Sequence, residues 1–183
     1  MGSLFFGCRA VSICEEGRIE DLKSLIKDHD VEGSEESLRE LMNKEGMDST
    51  HTVYTPLQVA SAYERKEIVQ LLLDKCDADV SFKCDQGKNC LHRAAWYTKT
   101  SLDTMKVLLG HRKTTKEVIN WMDNYRETPL DAVYKYNDSE FRENLISLLR
   151  QHGAKANFFD VNGDEVREGW GDLAGDSGED NDD

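Results

Sequence analysis

Three segments of the chain superimpose on one another, and this repetition restricts the fold more than any other feature. They are Tyr54-Thr-Pro-Leu-Gln-Val-Ala-Ser, Lys88-Asn-Cys-Leu-His-Arg-Ala-Ala and Glu127-Thr-Pro-Leu-Asp-Ala-Val-Tyr. Cys90 stands 34 positions after Pro56, and Pro129 stands 39 after Cys90. Each start leads into a second apolar run at helical spacing: Ile68, Val69, Leu72 and Leu73, then Met105, Leu108 and Leu109, then Leu145, Ile146 and Leu149. A period of this length predicts a stack of similar helix pairs, none able to bury its apolar face alone.

The local chemistry agrees. A Thr accepts hydrogen bonds at a helix start, Pro fits the first turn without a missing bond, Leu enters the core, and small Ala side chains let paired helices approach. With the runs Ala78-Asp-Val and Gly153-Ala-Lys-Ala-Asn, which turn the chain back out, the pattern resembles the ankyrin repeat. A weaker copy runs from Arg9 to Asp28, where Gly17 and Leu22, Leu25 and Ile26 fit the turn and second helix but Thr-Pro-Leu is missing, as in a terminal cap. The resemblance covers residues 9–160. It implies an all-α solenoid of about four stacked helix pairs with projecting β-hairpin fingers.

Three segments divide the chain on this reading. Residues 1–53 form an N-terminal capping repeat with a long insertion over 30–53, in which Leu38, Leu41 and Met42 share one face of an added helical turn or two. Residues 54–160 hold three repeats. The third copy is lengthened at 98–103 and again at 111–117. Residues 161–183 are an acidic tail, predicted to be largely disordered; from Asp164 onward it holds nine acids against one base, Arg167. Of the formal net charge of −13, this tail accounts for −8. An acidic surface of this kind does not grip a nucleic-acid backbone.

Leu4, Phe5 and Phe6 are interrupted by Arg9 and Glu15 before a signal core or membrane span could form, so no membrane association is expected. Gly2 fits lipidation only in part, because Phe6 stands where Ser or Thr belongs. Five cysteines without framework spacing point to free thiols in a reducing compartment, the cytosol or nucleus.

The resemblance implies a noncatalytic protein–protein interaction module or adaptor, monomeric when free and without a cofactor, that holds a protein partner on its concave face and finger tips. In the repeat register Tyr63, Tyr97 and Tyr136 are equivalent, as are Ala62, Trp96 and Lys135, and as are Tyr54, Lys88 and Glu127 at the finger. Large rings lose little side-chain entropy on contact, so Tyr54, Tyr63, Trp96, Tyr97 and Tyr136 form an expected aromatic ladder, joined by Trp121 and Tyr125. The alternative is that these rings pack between helices. Lys88 and Arg93 beside the ladder suggest a partner of some acidic character.

Two other readings stay open. In one, the tail masks a basic surface of the partner, with Trp170 and Leu173 as docking side chains and Ser177 as a site for an acid-directed kinase; its alternative target is the chain's own His111, Arg112, Lys113 and Lys116. In the other, Cys84, Cys90 and His92, with Cys76 nearby, converge in a thiol- or zinc-dependent enzyme or redox sensor. Their spacing lacks a Cys-x-x-Cys pair, and the repeat register accounts for each of them. Asp160 to Asp164 imitates a calcium loop only until Glu165 and Gly171 occupy its Gly and Glu positions.

Overall fold

The computed structural model describes residues 2–32, 38–49, 52–159 and 162–164. Among them the chain forms four consecutive helix pairs: α1 (Gly2–Glu16) with α2 (Ile19–Glu32), α4 (Pro56–Ala62) with α5 (Lys66–Lys75), α6 (Cys90–Tyr97) with α7 (Asp103–Gly110), and α9 (Pro129–Tyr136) with α10 (Arg142–Gln151). The first helices α1, α4, α6 and α9 pack in sequence as one layer, and α2, α5 and α7 follow each other in the second. Short helices α3 (Leu38–Met42) and α8 (Lys116–Ile119) lie in the two longer connections.

Three helix starts use the same reciprocal cap. Thr55, Asn89 and Thr128 accept from backbone N–H groups of the first turn, while the side chain three residues later receives the cap's own N–H. Each cap contributes about 1 kcal/mol, typical of such residues. The residue that closes the box also reaches the next unit. Gln58 Nε2 donates to Lys88 O (2.9 Å), His92 Nε2 bonds Glu127 O (2.9 Å), and Asp131 accepts from the N–H groups of Asn157 and Phe158 (both 2.8 Å at the shorter). Three different side chains thus fasten one finger after another.

Packing between the layers is apolar and close. Leu57, Leu91 and Leu130 enter at the same place of successive first helices, and Ala60, Ala94, Ala95 and Ala132 are wholly buried between them. Leu72, Leu108 and Leu149 close the core from the second helices. Each such Leu contributes roughly 1.5–3 kcal/mol by burial.

The turns inside the first two pairs each use a left-handed residue. Gly17 supplies it between α1 and α2 at φ +77°, without the steric cost a Cβ would add. Glu64 occupies the corresponding turn at φ +55°. Its carboxylate accepts from the backbone N–H groups of Lys99 (3.3 Å), Thr100 (3.2 Å) and Ser101 (3.1 Å), so a local strain is offset by a staple to the next pair.

The fingers are less regular than the repeat pattern implies. A two-residue antiparallel ladder forms only between β1 (Gly46–Met47) and β2 (Val53–Tyr54) among the described residues. The next two fingers are hydrogen-bonded turns, closed by Cys84 N–H to Lys88 O (3.0 Å) and Asp123 N–H to Glu127 O (2.9 Å). They join each other through Asn124, whose N–H and Nδ2 reach Gln86 O (3.0 Å) and Asp85 O (2.8 Å).

Candidate partner-binding face

The expected ladder divides into two groups. In the N-terminal group the Arg93 guanidinium lies 3.9 Å from the Tyr54 ring centroid and 4.8 Å from that of Tyr97, so it is held between two rings. Its Nη1 donates to the Tyr54 hydroxyl (3.0 Å). Tyr54 is 4% exposed, and burial raises its hydroxyl pKa despite the nearby guanidinium. Tyr63 stands apart from this sandwich. Its hydroxyl donates to Glu15 Oε1 (2.9 Å), which ties the first helix pair to the second. Burial opposes ionisation of Glu15, yet hydrogen bonds from Ser49 and Tyr63 hold its carboxyl below the usual range.

In the C-terminal group Trp96 stacks on Tyr136 with centroids 4.1 Å apart and planes within 9°. The Tyr97 ring lies near-parallel to Trp96 as well, with centroids 5.7 Å apart. Trp96 and Tyr136 border a cavity of about 700 Å³, whose other walls include Tyr125 from the finger and Phe158 and Phe159 from the segment after α10. Tyr125 is 61% exposed. Phe158 and Phe159 are placed there because Asp131 holds the backbone of 157–158 and Phe159 stacks on Tyr134 at 4.9 Å.

The charges in this group are internally matched. Lys88 is buried and pairs with Asp123 at 2.9 Å, its ammonium 4.9 Å from the Tyr125 centroid. Lys135 pairs with Glu127 Oε1 at 2.5 Å, and Tyr136 donates to the same oxygen at 3.1 Å. That hydrogen bond from Lys135 to Glu127 keeps the ammonium protonated well above its ordinary range.

Several sequence expectations therefore need restating. Lys88 and Arg93 do not offer open cations to a partner, since both are engaged with Asp123 and with Tyr54 and Tyr97. Trp121 does not join the ladder. It borders a separate cavity of about 460 Å³ with Arg39, Asp79 and Lys113, because α8 redirects the chain before the finger, and the Lys83 ammonium covers its ring. Glu127, Lys135, Phe158 and Phe159 also line the cavity beside Trp96 and Tyr136, although the sequence reading did not select them. For Glu127 and Lys135 a signal existed, since they share register positions with Tyr54 and Trp96. Trp170, Leu173 and Ser177 lie outside the described residues. The basic insertion is partly neutralised, because Lys113 and Arg112 both pair with Asp77.

The cysteine and histidine cluster has structural work instead. His92 Nδ1 lies 3.3 Å from Asn89 N, and with Nε2 on Glu127 O its two nitrogens are both occupied. Burial lowers its pKa. Cys90 Sγ donates to Val80 O, and burial pushes its thiol up to about 12, which holds it as the neutral thiol. No group of three or more His, Cys, Asp and Glu among the described residues could hold a metal ion. Nor is any helix among them long and apolar enough to cross a membrane.

A search of the curated proteins finds no match. A family profile described as "Ankyrin repeats (3 copies)" matches residues 11–120, more than half of the sequence and three of the four helix pairs. Together with the shared caps and the layered first and second helices, this match shows that the chain belongs to the ankyrin-repeat family.

Proposed function

We propose that the protein is a noncatalytic adaptor that binds a protein partner at the C-terminal half of its first-helix and finger side, around Trp96, Tyr125 and Tyr136. The ankyrin-repeat fold generally acts as a protein–protein interaction module, and its members are typically noncatalytic. The observation that carries the location is the cavity bounded by stacked and exposed rings, because aromatic anchors in a pocket are the usual centre of binding energy. The N-terminal aromatic group supports packing instead, with Arg93 and Tyr54 buried against each other. A reducing compartment, the cytosol or nucleus, goes with this reading on the sequence alone, whose five cysteines lack the spacing of a disulfide framework.

Capture of partners from lysate tests this reading. Wild type, the Trp96→Ala, Tyr125→Ala double variant and Tyr63→Phe are compared after circular dichroism shows all three folded. A partner lost from the double variant and kept by Tyr63→Phe supports the location. Retention by the double variant excludes it. The masking role of the tail is the second reading, carried by the concentration of acids after Asp164; truncation after that residue should then abolish binding in a salt-sensitive manner.

A further inference from the structure

We propose that the cavity beside Trp96, Tyr125 and Tyr136 receives a tryptophan or tyrosine side chain of the partner, a neutral aromatic group with one hydrogen-bond donor. This rests on the proposed location of the binding face and adds the chemistry of the anchor. The first argument is the wall. Rings come from α6, from the finger, from α9 and from the segment after α10, so a planar side chain meets apolar surface on several sides.

The second argument is charge. The two ammonium groups at the cavity each have a carboxylate, Lys88 with Asp123 and Lys135 with Glu127, which leaves the site without net charge. A guanidinium or ammonium from a partner would approach ring faces that already hold cations, since Lys88 lies 4.9 Å from the Tyr125 centroid and Lys135 5.2 Å from that of Tyr136. A carboxylate would be desolvated beside Glu127. Neither ion has a free counter-charge waiting for it, and a neutral group needs none.

The third argument is a single missing donor. Glu127 lines the cavity and is only 2% exposed. Its Oε1 receives Lys135 and Tyr136, while Oε2 is buried with no hydrogen-bond partner among the described residues. Oε2 is closed off from the cavity as it stands, so an indole N–H or a phenol O–H satisfies this acceptor once the Glu127 carboxylate turns towards the cavity. Leucine or phenylalanine fills the same space and leaves it unmet.

The test uses the full chain labelled with ¹⁵N and four blocked pentapeptides of the form Gly-Gly-X-Gly-Gly, where X is Trp, Phe, Arg or Asp. The indole N–H resonance of Trp96, assigned by its loss in Trp96→Phe, reports the site. The tryptophan peptide is expected to shift this resonance saturably, binding about tenfold tighter than the arginine and aspartate peptides. Tyr125→Ala should weaken it about fivefold while the remaining spectrum stays in place. Equal or tighter binding of the arginine or aspartate peptide overturns the proposal, as does the absence of any shift. The phenylalanine peptide binding as tightly as tryptophan overturns the part assigned to Glu127. Tighter tryptophan binding in Trp170→Ala would make the chain's own tail the occupant and overturn the partner as its source. Failure here combined with partner capture that still depends on Trp96 and Tyr125 would leave the location of the face standing and reject only its anchor chemistry.

Discussion

The two ends of the aromatic ladder use similar residues for different purposes. Around Tyr54 the cation is a buried arginine clasped by two rings, and its hydrogen bond to the phenol closes the group on itself. Around Trp96 the rings stack side by side and leave a cavity open, with each lysine turned to a carboxylate. Equivalence in the repeat register therefore fixes where a side chain starts, and the neighbouring finger decides whether it packs or presents. The finger before α4 brings Tyr54 inward, whereas the finger before α9 carries Tyr125 outward at 61% exposure.

The contrast can be broken by substitution. The largest effect is expected at Lys88, because Lys88→Ala leaves the Asp123 carboxylate buried without its ion partner, a loss of about 3–5 kcal/mol. Urea unfolding would measure it, and Lys88→Met with Asp123→Leu should recover most of the stability. Arg93→Ala comes next, at about 2–3 kcal/mol, since it removes packing between Tyr54 and Tyr97 as well as the bond to the phenol. Partner capture should nevertheless survive in the fraction that remains folded. If Arg93→Ala left stability unchanged, the N-terminal group would not be the structural one.

A smaller effect is expected from His92. Its folded-state pKa is lowered by burial, so below about pH 6.5 the unfolded chain binds a proton that the folded one refuses. Stability is thus present above that pH and falls as pH drops through it, by at most about 1.4 kcal/mol per pH unit for one group. His111, also lowered by burial and by Lys113 and Arg112, contributes in the same direction. His92→Gln, which copies Gln58 in the preceding unit, should flatten the His92 part of the profile in thermal melts between pH 5 and about 7.5. An unchanged profile would mean that the imidazole does not stay neutral. The smallest effect belongs to Tyr63→Phe, where loss of the partly exposed bond to Glu15 should cost about 0.5–1 kcal/mol and leave binding intact.

Much of the fold is visible in the residues themselves. Thr55-Pro56 and Thr128-Pro129 announce their helices, and Gly17 marks a turn even where the Thr-Pro-Leu signature is absent. Asn89-Cys90 performs the same cap with different chemistry, which the aligned Leu91 and Ala94 reveal. Strands are less legible, because 84–88 and 123–127 are too short to build a ladder and close as single turns. The site was legible in part for a related reason. A ring at a repeat position can be read from one unit, but pairing of Lys88 with Asp123 or of Lys135 with Glu127 depends on the finger of the next. The return of Phe158 and Phe159 depends on Asp131, and Trp121 leaves the ladder because α8 intervenes. Such contacts join residues far apart in sequence, and periodicity carries no information about them.

The most direct test replaces single residues by a photoreactive phenylalanine analogue at positions 125, 63 and 121, followed by irradiation in lysate and identification of the adducts. A defined protein adduct from position 125, with none from 63 or 121, is the expected result. Adducts from 63 or 121 in place of 125 would contradict a binding face at the C-terminal half of the ladder.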